Sequence, residues 1–179
     1  MWKISNMPIN KATDADIPEL NELVNITYRG KPSPMGWTTE ADLLEGARID
    51  QPMLKEQMDT ENGAILKYTD PRTGRIIGAI YLETSGSSMY FGMLTVSPSA
   101  QGRGIGRALL EYSESYARKN NCTKLVATVI DVRSELIEWY IRFGFKRTGH
   151  IEPFPADGKV GIPKIPIQLI EIEKIVPVK

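Results

Sequence analysis

Apolar positions along the chain change period several times, and each change marks an element. A short strand is predicted around Pro8 to Ala12. Thr13-Asp14-Ala15-Asp16 then gives an N-cap with an acidic residue three positions on. Ile17, Leu20, Leu23, Val24 and Thr27 follow at helical spacing, so a helix should run to about Tyr28. The next stretch, RGKPSPMGWTT, holds two prolines and two glycines and reads as a loop. A second helix is predicted from near Thr39, carrying Leu43 and Leu44 and fading near Arg48. From Gly63 the pattern turns to strands, Ala64 to Tyr68 and Ile76 to Glu83, joined by an Asp70-Pro71-Arg72-Thr73-Gly74 turn. Met89 to Val96 is apolar on both faces, as expected near a sheet centre.

Ile105, Ala108, Leu109, Tyr112 and Tyr116 mark one face of a helix ending near Asn120-Asn121. Lys124 to Ile130 is a β-branched strand, and Leu136, Ile137, Tyr140 and Ile141 mark a further helix, stopped by Gly144. Phe145 to Thr148 starts a strand, residues 153–163 read as a loop, and Ile165 to Ile175 makes the last strand. Repeats and low-complexity runs are missing. The order predicts one mixed α/β (α+β) sheet domain over residues 1–179.

Composition narrows the chemistry. The 179 residues suit a compact domain burying roughly 70% of its unfolded surface. With 22 basic and 22 acidic residues the net charge is zero, which argues against a general nucleic-acid binder. The single Cys122 excludes an intramolecular disulfide and a thiolate zinc cluster, and the single His150 excludes sites needing several imidazoles. No metal is expected. The N-terminus MWKISNMPIN shows no signal-peptide pattern, and no stretch approaches the roughly 20 apolar residues of a membrane span. No membrane partner and a cytoplasmic setting are therefore expected. Carboxylates, Tyr, Lys, backbone amides or a bound organic cofactor remain as chemical agents.

The densest signal is Val96-Ser97-Pro98-Ser99-Ala100-Gln101-Gly102-Arg103-Gly104-Ile105-Gly106-Arg107, between a predicted strand and a predicted helix. Glycines let the backbone approach a ligand, and a helix start offers unpaired N–H groups with a positive dipole end. Phosphate or pyrophosphate is the natural guest, unless the loop is a plain helix-starting turn. Arg103 and Arg107 add charge, and Gln101 to Lys124 holds five basic and two acidic residues. A Walker-type loop would need Lys-Ser or Lys-Thr where Arg107-Ala108 stands. The dinucleotide pattern would need a glycine at position 107. Both fail.

Gln101-Gly102-Arg103-Gly104-Ile105-Gly106 resembles the Q/R-x-x-G-x-G/A acetyl-CoA motif of the GNAT N-acetyltransferase superfamily. Trp139-Tyr140-Ile141-Arg142-Phe143-Gly144-Phe145 is similar to that family's L-Y-x-x-x-G-F segment. Ile9 through Asp16 resembles its first strand and helix, so the likeness covers most of the chain in order. The resemblance implies a mixed, mostly antiparallel sheet flanked by helices, whose fourth and fifth strands splay around the pantetheine arm. It implies acetyl-CoA as acyl donor, bound through Leu94, Thr95, Val96 and the backbone of Gln101, Gly102, Arg103, Gly104, Ile105, Gly106 and Arg107. It also implies Tyr140 as the acid protonating the departing thiolate, and direct attack by a neutral amine. Without the adjacent Gly-Phe pattern, Tyr140 reads rather as a core tyrosine on its helix's apolar face.

Two positions depart from the family pattern. Arg133 stands where many members have Asn, and it could contact CoA phosphate, contact a substrate carboxylate, or cap its helix. Near Tyr90 a general-base Glu of some members is missing, leaving Glu83, Asp131, Glu135 or a water chain as bases. Tyr28, Met35 and Trp37 flank the proline-rich loop where members bind the acceptor, although loop packing explains them as well. Pro153-Phe154-Pro155 forms either an opposite wall or a rigid turn. A small-molecule amine is the expected acceptor, and a homodimer stays open. The competing class is an inactive acyl-CoA sensor or partner-binding module with the same fold.

Overall fold

The computed structural model describes residues 8–30 and 39–177. Seven strands form one sheet in the order β1 (Ile9–Lys11), β3 (Gly63–Thr69), β4 (Ile76–Ser85), β5 (Ser88–Val96), β6 (Lys124–Ile130), β9 (Gln168–Ile175) and β7 (Lys146–Pro153). Every neighbouring pair is antiparallel except β5 with β6. Each face of the sheet carries its own core. Helices α1 (Ile17–Arg29) and α2 (Gln51–Asp59) bury Leu20, Val24 and Leu54 against Ile65, Ala79 and Tyr81. On the other face, α3 (Ile105–Lys119) and α4 (Ser134–Arg142) bury Leu109, Leu110 and Ile137 against Ile80, Leu82 and Phe91. The mixed, mostly antiparallel sheet flanked by helices is as the resemblance implies. Among the described residues no helix is long and apolar enough to cross a membrane.

The segment read as a second helix behaves otherwise. Residues 39–48 form turns around β2 (Leu44–Glu45), which pairs antiparallel with β8 (Ile162–Pro163) inside the stretch read as loop. The second helix is α2, further along. Its start is marked by Asp50, whose side chain accepts the Met53 N–H at 2.8 Å, and by Pro52 in the first turn. Leu54 is completely buried on that helix, whereas Leu44 packs beside Ile130 and Ile167 in a separate cluster. Replacing Asp50 with alanine should cost about 1 kcal/mol of folding free energy. Denaturant unfolding checks this, and an unchanged midpoint would mean the cap is not limiting.

The geometry that positions the site arises at β5. Its parallel pairing with β6 covers only Ser88, Met89 and Tyr90. Beyond Tyr90, β5 stays with β4 while β6 continues beside β9 up to Ile130, and a wedge opens between them. A bulge sits at the same place. Gly92 lies opposite Tyr81 and Thr95 opposite Ala79, so Met93 and Leu94 together face the single Ile80. Met93 takes φ +55°, in the left-handed region uncommon for a residue with a side chain. The extra residue exchanges the two faces of the strand. Met89 and Phe91 point toward α3 before it, and Leu94 and Val96 pack on that side after it. Met93 joins the core under α1.

Candidate active site

Gly102 and Gly104 both adopt left-handed φ, +80° and +77°, which explains why glycine occupies these positions. Gly104 is the N-cap of α3 and no side chain caps the helix. The first intrahelical bond is from the Ala108 N–H to the Gly104 carbonyl at 3.0 Å. The N–H groups of Ile105, Gly106 and Arg107 precede it and have no partner within the helix. Gly106 is small for a different reason, since an added Cβ would sit 3.4 Å from the Trp139 ring and 3.6 Å from Val96. The Gln101 amide donates to the Val96 carbonyl at 3.3 Å and ties the loop to the strand.

These groups form one wall of a cavity of about 410 Å³. The opposite wall is the face of α4 bearing Leu136, Trp139, Tyr140 and Phe143. Leu94 and Val96 line its floor along the half of β5 that β6 has left. A narrow cavity with exposed strand edge, open helix N–H groups and an apolar far wall fits an extended ligand ending in a pyrophosphate. Acetyl-CoA meets that description.

The charge is distributed differently from the expectation of a basic patch between Gln101 and Lys124. Arg103 does not line this cavity, and its guanidinium lies 3.8 Å from Asp70 in the β3–β4 turn. The Arg72 backbone N–H and the neighbouring Arg72 and Arg103 guanidiniums hold the Asp70 carboxyl below the usual range. Arg118 and Lys119 end the 15-residue α3, at the far end from the glycine loop, and Lys124 pairs with Glu173 at 3.1 Å. The guanidiniums that line the cavity are those of Arg107, Arg133 and Arg142, of which Arg107 also pairs with Glu111 at 2.8 Å. Two of these three lie in or just before α4, outside the segment that counting charges singled out.

A second cavity, about 260 Å³, lies on the other side of the wedge. The two share Tyr28, Leu94, Arg133, Leu136 and Tyr140 in their walls. The Tyr28 hydroxyl donates to the Leu94 carbonyl at 2.5 Å, fastening α1 to the open edge of β5. Tyr140 is held by Phe91, Trp139 and Phe145, with ring centroids 5.8, 5.1 and 5.5 Å away. Its hydroxyl makes no hydrogen bond within the described residues. Burial, reinforced by Tyr28, pushes the Tyr140 phenol well above the ordinary tyrosine range. Glu40 sits between two guanidiniums, 2.6 Å from Arg29 and 3.1 Å from Arg133, all three side chains being buried. Arg48 lies over the Tyr28 ring at 5.4 Å.

Several expected site residues fall elsewhere. The Thr95 side chain is completely buried and donates to the Met93 carbonyl at 2.8 Å, because the bulge turns it away from the cavity. Glu83 accepts a 2.6 Å hydrogen bond from Tyr81 and lines neither cavity. Asp131 accepts the Gln168 N–H at 3.1 Å, and Glu135 lies with Glu138 on the outer side of α4. Neither reaches the wedge. Phe154 and Pro155 do line the second cavity. Met35 and Trp37 lie outside the described residues. Cys122 is buried, which raises its thiol pKa, and His150 is exposed 3.4 Å from Glu152. Glu40 was missed, and it is the only described carboxylate lining either cavity. It sits in the segment predicted as a helix, and its partners Arg29 and Arg133 lie 11 and 93 residues away along the chain.

A family model described as an acetyltransferase (GNAT) domain matches residues 39–163. A ribosomal-protein-alanine N-acetyltransferase from Escherichia coli superposes with TM-score 0.69 at 16% identity, covering 96% of this chain and 94% of that one. Another from Brucella melitensis gives 0.66 at 22%, covering 93% and 98%. A spermidine N-acetyltransferase chimera from Vibrio cholerae and hSSAT gives 0.67 at 18%, covering 93% of each. At these identities the likeness is one of fold. A search of the curated proteins finds no significant match. The family match spans the glycine loop, the wedge and Tyr140 alike, and this chain belongs to the GNAT acetyltransferase family.

Proposed function

We propose that the chain is an acetyl-CoA-dependent N-acetyltransferase acting on the primary amine of a small molecule. The observation that carries this reading is the meeting of two cavities at Leu94, Tyr28 and Tyr140. One is built for an extended phosphate-bearing donor, and the other leaves room for an acceptor. At about 260 Å³ the acceptor side is below the roughly 300–1,000 Å³ typical of drug-sized ligands, which favours a small amine.

Acetyl-CoA supplies an activated acyl group, so that a C–N bond forms at its carbonyl carbon as the C–S bond breaks and the sulfur leaves as a thiol. In this reading the N–H groups of Ile105, Gly106 and Arg107 hold the pyrophosphate, with Arg107 and Arg142 adding charge. Main-chain groups of Leu94 and Val96 hold the pantetheine arm, and an N–H there serves the developing oxyanion without reorganising. Tyr140, protonated at neutral pH, donates to the sulfur as negative charge develops there; burial raises its pKa and so makes it a weaker acid, not a stronger one. Glu40 is committed to Arg29 and Arg133 and is a poor base. The nucleophilic amine instead loses its proton to water. Nearby guanidiniums favour its neutral form, since like charge lowers an ammonium pKa.

Calorimetry should show acetyl-CoA binding, and thiol release should follow on adding an amine from a broad panel. Absence of acetyl-CoA binding would end this reading. Binding with no thiol release from any amine would favour an inactive acyl-CoA sensor, a reading supported by the lack of an uncommitted carboxylate among the described residues of either cavity.

A further inference from the structure

The acceptor-side cavity has four charged side chains in its described wall, Arg29, Arg48, Arg133 and Glu40. Glu40 has two oxygens and two guanidiniums share them, Arg29 on Oε2 and Arg133 on Oε1. Arg29 is spent further on backbone, donating to the Val160 carbonyl at 2.5 Å and the Gly46 carbonyl at 3.1 Å. Arg48 is different. Its guanidinium lies over the Tyr28 ring and pairs with no carboxylate. All 22 Asp and Glu residues of the chain are among the described ones, and none forms an ion pair with it. Three guanidiniums and one carboxylate give the described residues of the cavity wall a formal charge of +2.

Such a wall repels a polyamine and attracts an anion. A partly buried guanidinium with its fork unclaimed is suited to bidentate contact with a planar carboxylate. Tyr28 sets where that contact falls relative to the chemistry. Arg48 stacks on the ring whose hydroxyl reaches the Leu94 carbonyl, at the edge assigned above to the thioester. The anionic group and the reacting amine are thus one tyrosine apart, a spacing for a small molecule that carries both.

We propose that the acceptor is a small amino acid, its amine presented at Leu94 and Tyr140 and its carboxylate seated on Arg48. This rests on the acetyltransferase reading and goes beyond it by naming the acceptor's chemical class. Arg133, already bonded to Glu40, adds field to the same seat.

The test compares each common α-amino acid, and a set of ω-amino acids, with its own amide, with spermidine as a cationic control. The expected kcat/KM for the best acids exceeds that of their amides by about 10- to 100-fold, the worth of one charge-assisted contact. Arg48→Gln should bring acid and amide to near parity, and Arg48→Lys should restore part of the preference. Acetyl-CoA binding measured by calorimetry establishes that each variant is folded with its donor site intact. A second arm does not depend on turnover. N-acetyl-amino acids and their amides are titrated into the protein saturated with CoA, and the acids should bind more tightly by a similar factor. If no amine releases thiol, the enzyme reading fails while this arm still decides the carboxylate seat. Amides or spermidine performing as well as the acids would overturn the proposal. So would equal losses for acid and amide in Arg48→Gln, or a C-terminally blocked peptide that matches the free acids.

Discussion

Gly104→Val is expected to weaken acetyl-CoA binding by roughly 10- to 100-fold while the protein stays folded, because strained backbone of this kind costs about 1–3 kcal/mol. The cause is conformational and not one of space. A Cβ at Gly104 meets nothing within 4 Å, yet the residue holds φ +77°. A β-branched side chain is an outlier in that region, so the loop must move to accommodate it. Any movement re-aims the N–H groups of Ile105, Gly106 and Arg107 that begin α3 without a cap. Gly104→Asn separates this cause from others, since asparagine tolerates left-handed backbone and should retain most of the affinity. Calorimetry on both variants checks it, with circular dichroism confirming fold. Equal affinities for the two would remove the backbone argument.

Tyr140→Phe should lower kcat by about 100- to 10,000-fold, the range for a lost general acid, with acetyl-CoA affinity nearly unchanged. Phenylalanine keeps the ring packed among Phe91, Trp139 and Phe145 and removes only the hydroxyl. The pH dependence follows from the direction of the pKa shift. A group needed in its protonated form loses function as pH rises through its pKa. Burial raises that of Tyr140 above the ordinary phenol value of about 10, so it produces no falling limb in wild-type kcat below about pH 10. Unaltered kcat in the variant would leave Tyr140 as a packing residue alone.

The glycine loop and the Tyr140 block are legible in the sequence because each is continuous along the chain and depends on local geometry. Gly102 and Gly104 are needed where the backbone turns left-handed, and Gly144, with φ +91°, stops α4. Strands and helices with one buried face are legible for the same reason. The start of α2 is written in Asp50 and Pro52, but two adjacent leucines at 43 and 44 mimic helical spacing while one of them packs in a strand pair. The Met93 bulge has no local signature, so Thr95 is grouped with Leu94 and Val96 although its side chain faces the opposite core. Charge counting along a segment also misleads. A helix spreads its ends apart, and Arg103 finds Asp70 from a turn some thirty residues earlier in the fold's logic of neighbouring strands. The Arg29–Glu40–Arg133 cluster joins three distant segments and emerges only from the tertiary arrangement.

The single extra residue at Met93 also governs how this protein can be altered. Alternation is the usual guide for choosing which strand positions to vary, and here it holds only up to Gly92. A library that followed odd numbers through the strand would alter Met93 and Thr95, the underside of the molecule, in the belief that it was reshaping the donor cleft. Leu94 and Val96 are the positions whose side chains line that cavity. Removing one residue there would invert everything that follows, so the strand accepts substitution far more readily than deletion.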